Sequence, residues 1–312
     1  MKPRLPIPLR TSPRHAFLQK PAQCLRNSSS NPAPSTYEQL PPTPNPRWLS
    51  DMKARLGKCI MFGGLDAPSI ANAAGALRIL ATEWRSLVAG SEGFLVDKKR
   101  AGLLRQKVVW GEQDSMSHVN NVTYVRWAES ARVNWANNYA VHFDPAHRRE
   151  WAELSTPKGI GMILRSIKTD YKFVGFSFFL SHVATESGVL VLVLMVEQPM
   201  TYPDHISVFH KLHSMPKPTD SHFVLDVMIV SELRQRPAAR CVEENVVYDY
   251  RKGQKTPLPP FMLDAFRKTW EAQEAEKERV EERMKDVLWA VRSVEQRTWD
   301  KEGAVEDMGG TK

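Results

Sequence analysis

Between Leu103 and Tyr250 a single apolar helical period is followed by a train of short β-rich runs, and this pattern limits the fold more than any other feature of the chain. Tyr124, Trp127, Ala131 and Trp135 recur at helical steps within a segment from Asn121 to about Tyr139. The runs at 161–171, 206–213, 223–232 and 240–250 are rich in Val, Ile and Phe, and Pro, Asp, Ser and Gly separate them. A further strand is expected over Leu103–Trp110, ahead of the helix. One long helix followed by four strands indicates an α+β architecture.

The flanks differ in kind. Residues 1–46 hold half of the 22 prolines and a Ser28-Ser29-Ser30 run. They also carry Lys2, Arg4, Arg10, Arg14, Lys20 and Arg26, with no Asp or Glu before Glu38. Such a stretch has no apolar period with which to pack. Its Arg- and Ser-containing composition, acid-free through residue 37, is that of a mitochondrial transit peptide followed by a linker, so mitochondrial localisation is expected. Residues 1–37 hold six of the eight excess positive charges. The rest of the chain is near neutral, and no nucleic-acid partner is expected. From 47 to 102 the apolar period is helical: Trp48, Met52 and Leu56, then Ile70, Ala74, Leu77, Leu80 and Trp84, which predicts an N-terminal helical extension packed outside the main domain. Residues 267–312 form a charged C-terminal helix and tail in which Val280, Met284, Val287, Val291 and Val294 make an apolar stripe expected to pack on the same chain.

Cys24, Cys59 and Cys241 are far apart and form no CxxC pair, so neither a disulfide framework nor a cysteine metal site is indicated, and a reducing compartment fits best. The 173–196 stretch is long enough to span a bilayer, but His182, Thr185, Glu186 and Ser187 interrupt it, and no stable membrane span is expected.

The residues most able to carry chemistry lie in the turn between the first strand and the helix, Val109-Trp110-Gly111-Glu112-Gln113-Asp114-Ser115-Met116-Ser117-His118-Val119-Asn120-Asn121. A helix N-terminus presents unpaired N–H groups and a partial positive charge, suited to an acyl oxygen that becomes negative during attack. Asp114 beside it would serve either as a nucleophile or as a general base, and spacing does not choose between them. Taken alone, Asp114, Asn120 and Asn121 are most simply caps. His118 is most simply a turn residue and, lacking ligand partners at suitable spacing, makes no metal site. Glu129 and Arg132 are most simply a surface ion pair.

The order Asp114-x-x-x-His118-Val119-Asn120-Asn121-x-x-Tyr124, continuing to Glu129-x-Ala131-Arg132, resembles the opening of hotdog-fold thioesterases of the 4-hydroxybenzoyl-CoA thioesterase type. The likeness covers 103–266 and ends near Val246-Val247-Tyr248-Asp249-Tyr250 and Thr256-Pro257-Leu258-Pro259-Pro260. It implies a hotdog fold, an antiparallel sheet wrapped around a long central helix, with extra N- and C-terminal helices. It further implies an acyl-CoA substrate and no cofactor, with a homodimer or homotetramer whose site lies between protomers. By the same resemblance Asp114 matches the catalytic acid, and the Asn121 N–H matches the donor that polarises the thioester carbonyl. His118 and Asn120 match residues that shape the turn beside the substrate, while Tyr124, Glu129 and Arg132 match structural positions.

The sequence departs from that pattern twice. Ser117 stands where many relatives have glycine, and residues 174–198 form an atypical apolar insertion between two strands, either a lineage-specific addition or the product of a misassigned gene segment. Arg165, Lys168 and Lys172 are available to CoA phosphates but are most simply solvated cations. Two other functions remain open on this fold. One is a non-catalytic scaffold subunit of a mitochondrial assembly; the other is an acyl thioester dehydratase, whose family pattern places His five residues after Asp, with a proline between them.

Overall fold

The computed structural model describes residues 45, 47–62, 65–172, 182–185, 188–191 and 200–302. The expected leader, apart from residue 45, and most of the insertion lie outside these residues. Within the insertion, strands β3 (His182–Thr185) and β4 (Gly188–Val191) pair antiparallel as a two-stranded sheet of their own.

The chain enters through three helices, α1 (Trp48–Met61), α2 (Ala67–Thr82) and α3 (Trp84–Ala89). The second starts where it does because the Asp66 carboxylate accepts the Ser69 N–H and Pro68 occupies the first turn. Strand β1 (Leu103–Lys107) then leads through a tight turn into the central helix α4 (Asn121–Asn138). After the short α5 (Arg148–Glu153) come β2 (Ile160–Tyr171), β5 (His205–Leu212), β6 (His222–Ser231), β7 (Arg236–Asp249) and the brief β8 (Gln254–Lys255). The main sheet is antiparallel in the order β1-β5-β6-β7-β2, with α4 packed across one face, which is the expected hotdog arrangement.

Alternation along the strands makes both faces apolar. Ile206, Val208, Val227, Ile229, Ala239 and Cys241 face Tyr124, Trp127, Ala128 and Ala131 of α4. Phe209, Met228 and Val230 point the opposite way, into a second core shared with α1, α2, α3 and a long closing helix, α6 (Pro260–Glu295). The N-terminal helices and α6 together cover the outer face of the sheet. The valine stripe from Val280 to Val294 packs on the same chain as expected, buried among these helices. Each such side chain removed from water contributes about 1.5–3 kcal/mol. Helix α6 also runs unbroken across residues 266 and 267, with Met262 and Phe266 in a third cluster that includes Trp135, Tyr139 and Trp151.

Polar contacts fix this layer in register. The Gln273 amide donates to the Leu212 carbonyl at 3.1 Å and accepts the Leu212 N–H at 2.9 Å, completing the end of β5 as a neighbouring strand would. Arg240 of β7 makes a bidentate pair with Glu92, and Arg55 of α1 makes one with the buried Glu295. On the inner side, Asn134 and Asn138 of α4 donate to the carbonyls of Gly102 and Ala101. Only glycine fits at 102, because a Cβ there would lie 2.4 Å from the Ala131 carbonyl oxygen.

Candidate active site

The expected strand over Leu103–Trp110 ends at Lys107, because the Val108 N–H turns to the Asp204 carbonyl and Trp110–Glu112 form a 3-10 turn. Glu112 organises the loop that leads into α4. One of its oxygens accepts the Val109 N–H, the other accepts the Trp127 indole N–H at 3.2 Å, and its carbonyl accepts the Asn120 N–H. Gln113 bridges to Val119, and the Asp114 N–H bonds to the His118 carbonyl at 2.8 Å, which closes a compact loop with Asp114 at its head. Asp114 Oδ1 accepts the N–H groups of Met116 at 2.8 Å and His118 at 3.2 Å; Oδ2 accepts none among the described residues.

Ser117 has φ of +61°, a left-handed conformation that costs an L-residue about 1–2 kcal/mol. That conformation is the physical reason glycine suits the position. Asn120 caps α4, its Oδ1 accepting the Val122 N–H at 3.0 Å. Asn121 is the first residue of α4, so its N–H is among those a helix leaves without an internal acceptor. Its carbonyl accepts the Tyr171 hydroxyl at 3.2 Å, tying the helix start to the end of β2. Tyr124 lies edge-on to both Tyr171 and Trp127, and burial raises its phenol above the usual range. Strand β2 pairs with β7 on one side and with no strand on the other among the described residues.

Asp114, His118, Asn120 and Asn121 thus fall within one turn. Asp114, Asn120 and Asn121 are exposed and His118 is half-buried. The contacts of His118 to Asp114 run through its backbone. The surrounding surface is apolar: Val109, Met116 and Val122 are exposed, and Trp110 is 75% exposed. Of the cations considered for CoA phosphates, Arg165 lies 2.7 Å from Glu244 and Lys172 pairs with Asp170. An open groove of about 440 Å³ between α2, α3, β1 and α6 lies away from this turn, and its arginines 85 and 279 are already paired with Glu232 and Glu276.

The sequence pattern that defines the thioesterase-like superfamily matches residues 108–266, from the start of this turn to the beginning of α6. The chain belongs to the thioesterase-like superfamily. Among solved structures it is similar to a thioesterase from Thermus thermophilus complexed with coenzyme A and zinc, at 16% identity over 53% of this chain and 91% of that one, with a TM-score of 0.34. The DHNA-CoA thioesterase of Staphylococcus aureus is 14% identical over 55% of this chain and 89% of its own, with a TM-score of 0.36. BH1999 gentisyl-coenzyme A thioesterase is 16% identical over 52% and 98%, with a TM-score of 0.35. No curated protein compared with the chain matches it.

One polar group of this superfamily member escaped the sequence reading. Arg132 does not pair with Glu129 at the surface; it lies on the inner side of α4, and its Nη1 reaches Glu243 of β7 at 2.7 Å. His210 of β5 stands 3.7 Å from the other Glu243 oxygen, and both are fully buried. The sequence signal was available in two periods. Arg132 continues the buried stripe of Tyr124, Ala128 and Ala131, and Glu243 keeps step with Ala239 and Cys241.

Proposed function

We propose that this chain hydrolyses an acyl-CoA thioester to the free acid and CoA, with Asp114 acting as nucleophile or general base. The observation that carries the reading is the position of the Asp114 carboxylate: it is presented at the head of a pinned loop, with one oxygen unengaged, before the N-terminus of α4. A thioester carbonyl placed between the two would direct its oxygen at the Asn121 N–H as negative charge develops. With Asp114 as general base, water adds to the carbonyl and gives its proton to Asp114, the C–S bond breaks, and that proton passes to the departing CoA sulfur; with Asp114 as nucleophile, its oxygen displaces the thiolate, which takes a proton from solvent, and water then cleaves the acyl–Asp114 anhydride to release the acid and restore the carboxylate. His118 and Asn120 shape the loop, and Asn120 lies beside the substrate. The apolar collar of Trp110, Met116 and Val122 suits an acyl group, and the unpaired edge of β2 next to Asn121 suits a second copy completing the site in a homodimer.

The test is thiol release from a panel of acyl-CoAs. Wild type turns over at least one member, and Asp114→Asn lowers kcat by about two orders of magnitude or more, the range expected when a general base is removed. A wild type inert toward the whole panel would support the scaffold reading instead, which the hydrogen bonds of Asp114 Oδ1 within its own turn favour. Water addition to an enoyl-CoA would support the dehydratase. The basic leader, acid-free through residue 37, supports import into mitochondria, to be checked by leader cleavage in isolated organelles.

A further inference from the structure

The Asp114 loop is closed on itself at its tip and joined to the helix at its base. At the tip, Gln113 bridges to Val119, the Gln113 side-chain amide donates to the Ser117 carbonyl, and Asp114 Oδ1 accepts the N–H groups of Met116 and His118. These contacts fix the carboxylate within the loop, and each of them stays inside residues 113–119. At the base, the returning limb is seated by Val119, which is buried in the inner core and donates its N–H to the Met200 carbonyl. The entering limb has no such apolar anchor after Val108, because Val109, Trp110 and Gly111 are all exposed. Glu112 takes that place. Its Oε2 accepts the Val109 N–H at 2.9 Å, its Oε1 accepts the indole N–H of the buried Trp127 at 3.2 Å, and its carbonyl accepts the Asn120 N–H at 2.9 Å. Trp127 lies in the second turn of α4 and Asn120 is its cap, so both contacts tie the loop to the helix.

We propose, on the hydrolytic reading of Asp114, that Glu112 is the positioning residue of this site: its carboxylate sets where Asp114 stands relative to the Asn121 N–H. Both oxygens are needed, because the two N–H donors come from different elements and only a carboxylate accepts on each side. Glutamine has the same shape but carries an NH2 group on one side, so it serves one donor and turns an N–H toward the other. Misplacing a reacting group by about 1 Å costs about a hundredfold in rate. A loop that pivots at its entering limb therefore loses turnover before it loses its fold.

The experiment compares full-length wild type with Glu112→Gln and with Trp127→Phe, which removes the donor at the other end of the same bond while keeping a buried ring. Hydrogen exchange by mass spectrometry, kcat and KM for acyl-CoA hydrolysis are measured on each. Both variants speed exchange across residues 109–121 by up to about tenfold, the worth of one net hydrogen bond, while exchange in β5, β6 and β7 of Glu112→Gln stays at the wild-type rate. In both, kcat falls by about ten- to a hundredfold with KM unchanged, as for a residue that does not touch substrate. Wild-type exchange over 109–121 in Glu112→Gln, exchange that rises through its whole chain, or a KM change without a kcat change each overturns the proposal. A wild type inert toward every acyl-CoA would refute the hydrolytic reading alone. The exchange comparison would still decide whether Glu112 holds Asp114 to α4, supporting it if the faster exchange is confined to the loop and refuting it otherwise.

Discussion

The sharpest stability prediction concerns Arg132→Met. The Arg132 side chain is 7% exposed and that of Glu243 0%, with 2.7 Å between them, so solvent offers neither group an alternative partner. Removing the guanidinium leaves a carboxylate buried beside His210 alone, and breaking such a pair from one side costs about 3–5 kcal/mol. In a chain of this size each kcal/mol lowers Tm by about 2–4 °C, so a fall of about 6–20 °C is expected. Replacing both partners, as Arg132→Met/Glu243→Leu, removes the stranded charge and should recover most of the loss. The pH dependence follows from the direction of the Glu243 shift. Burial raises its pKa, but His210 and Arg132 outweigh burial and hold it below the usual carboxylate range. The unfolded chain therefore takes up the proton first. The stabilisation is complete above the unfolded value of about 4.3 and is lost as pH falls through the folded one. Urea unfolding of the wild type and both variants at pH 7 and near pH 3.5 checks this. A single-variant loss below about 1 kcal/mol, or a double variant no better than the single, would refute the reasoning.

Three further outcomes are expected. Gly102→Ala forces a Cβ into the Ala131 backbone and should cost about 1–3 kcal/mol in thermal unfolding, with lost protection at the Asn134 and Asn138 side-chain amides by NMR. Ser117→Gly relieves the left-handed backbone and should raise Tm by about 2–4 °C per kcal/mol gained, roughly 1–2 kcal/mol, with no loss of hydrolysis. Gln273→Leu leaves the Leu212 N–H and carbonyl unpaired at about 1–3 kcal/mol each, which amide hydrogen exchange at the end of β5 would report.

The elements were legible wherever burial is one-sided. Tyr124, Trp127, Ala131 and Trp135 marked α4 because a helix packed on a sheet must keep an apolar stripe, and the four runs after it became β2, β5, β6 and β7 within a few residues. The role proposed for Asp114 rests on an ordered motif, since capping and catalysis ask for the same residue at the same place. Two features stayed hidden. The role of the N-terminal helices depends on Phe209, Met228 and Val230 facing away from α4, and apolar runs buried on both faces do not announce a second covering layer. The Arg132–Glu243 pair joins residues far apart in sequence, while Glu129 offered a nearer partner at helical spacing.

The path of α6 sets how this protein can be trimmed. Its first turns lodge Met262 and Phe266 against the end of α4, and its last turns seat Val291 and Val294 among the N-terminal helices. Cutting at residue 266, where the match to the superfamily stops, would sever a continuous rod and strip the valine stripe from its neighbours. Excising α1 to α3 would open the core that Phe209, Met228 and Val230 share with them and α6. The part matched by the superfamily and its attachments are therefore one cooperative folding unit, and recombinant fragments drawn to the superfamily's limits should come out insoluble.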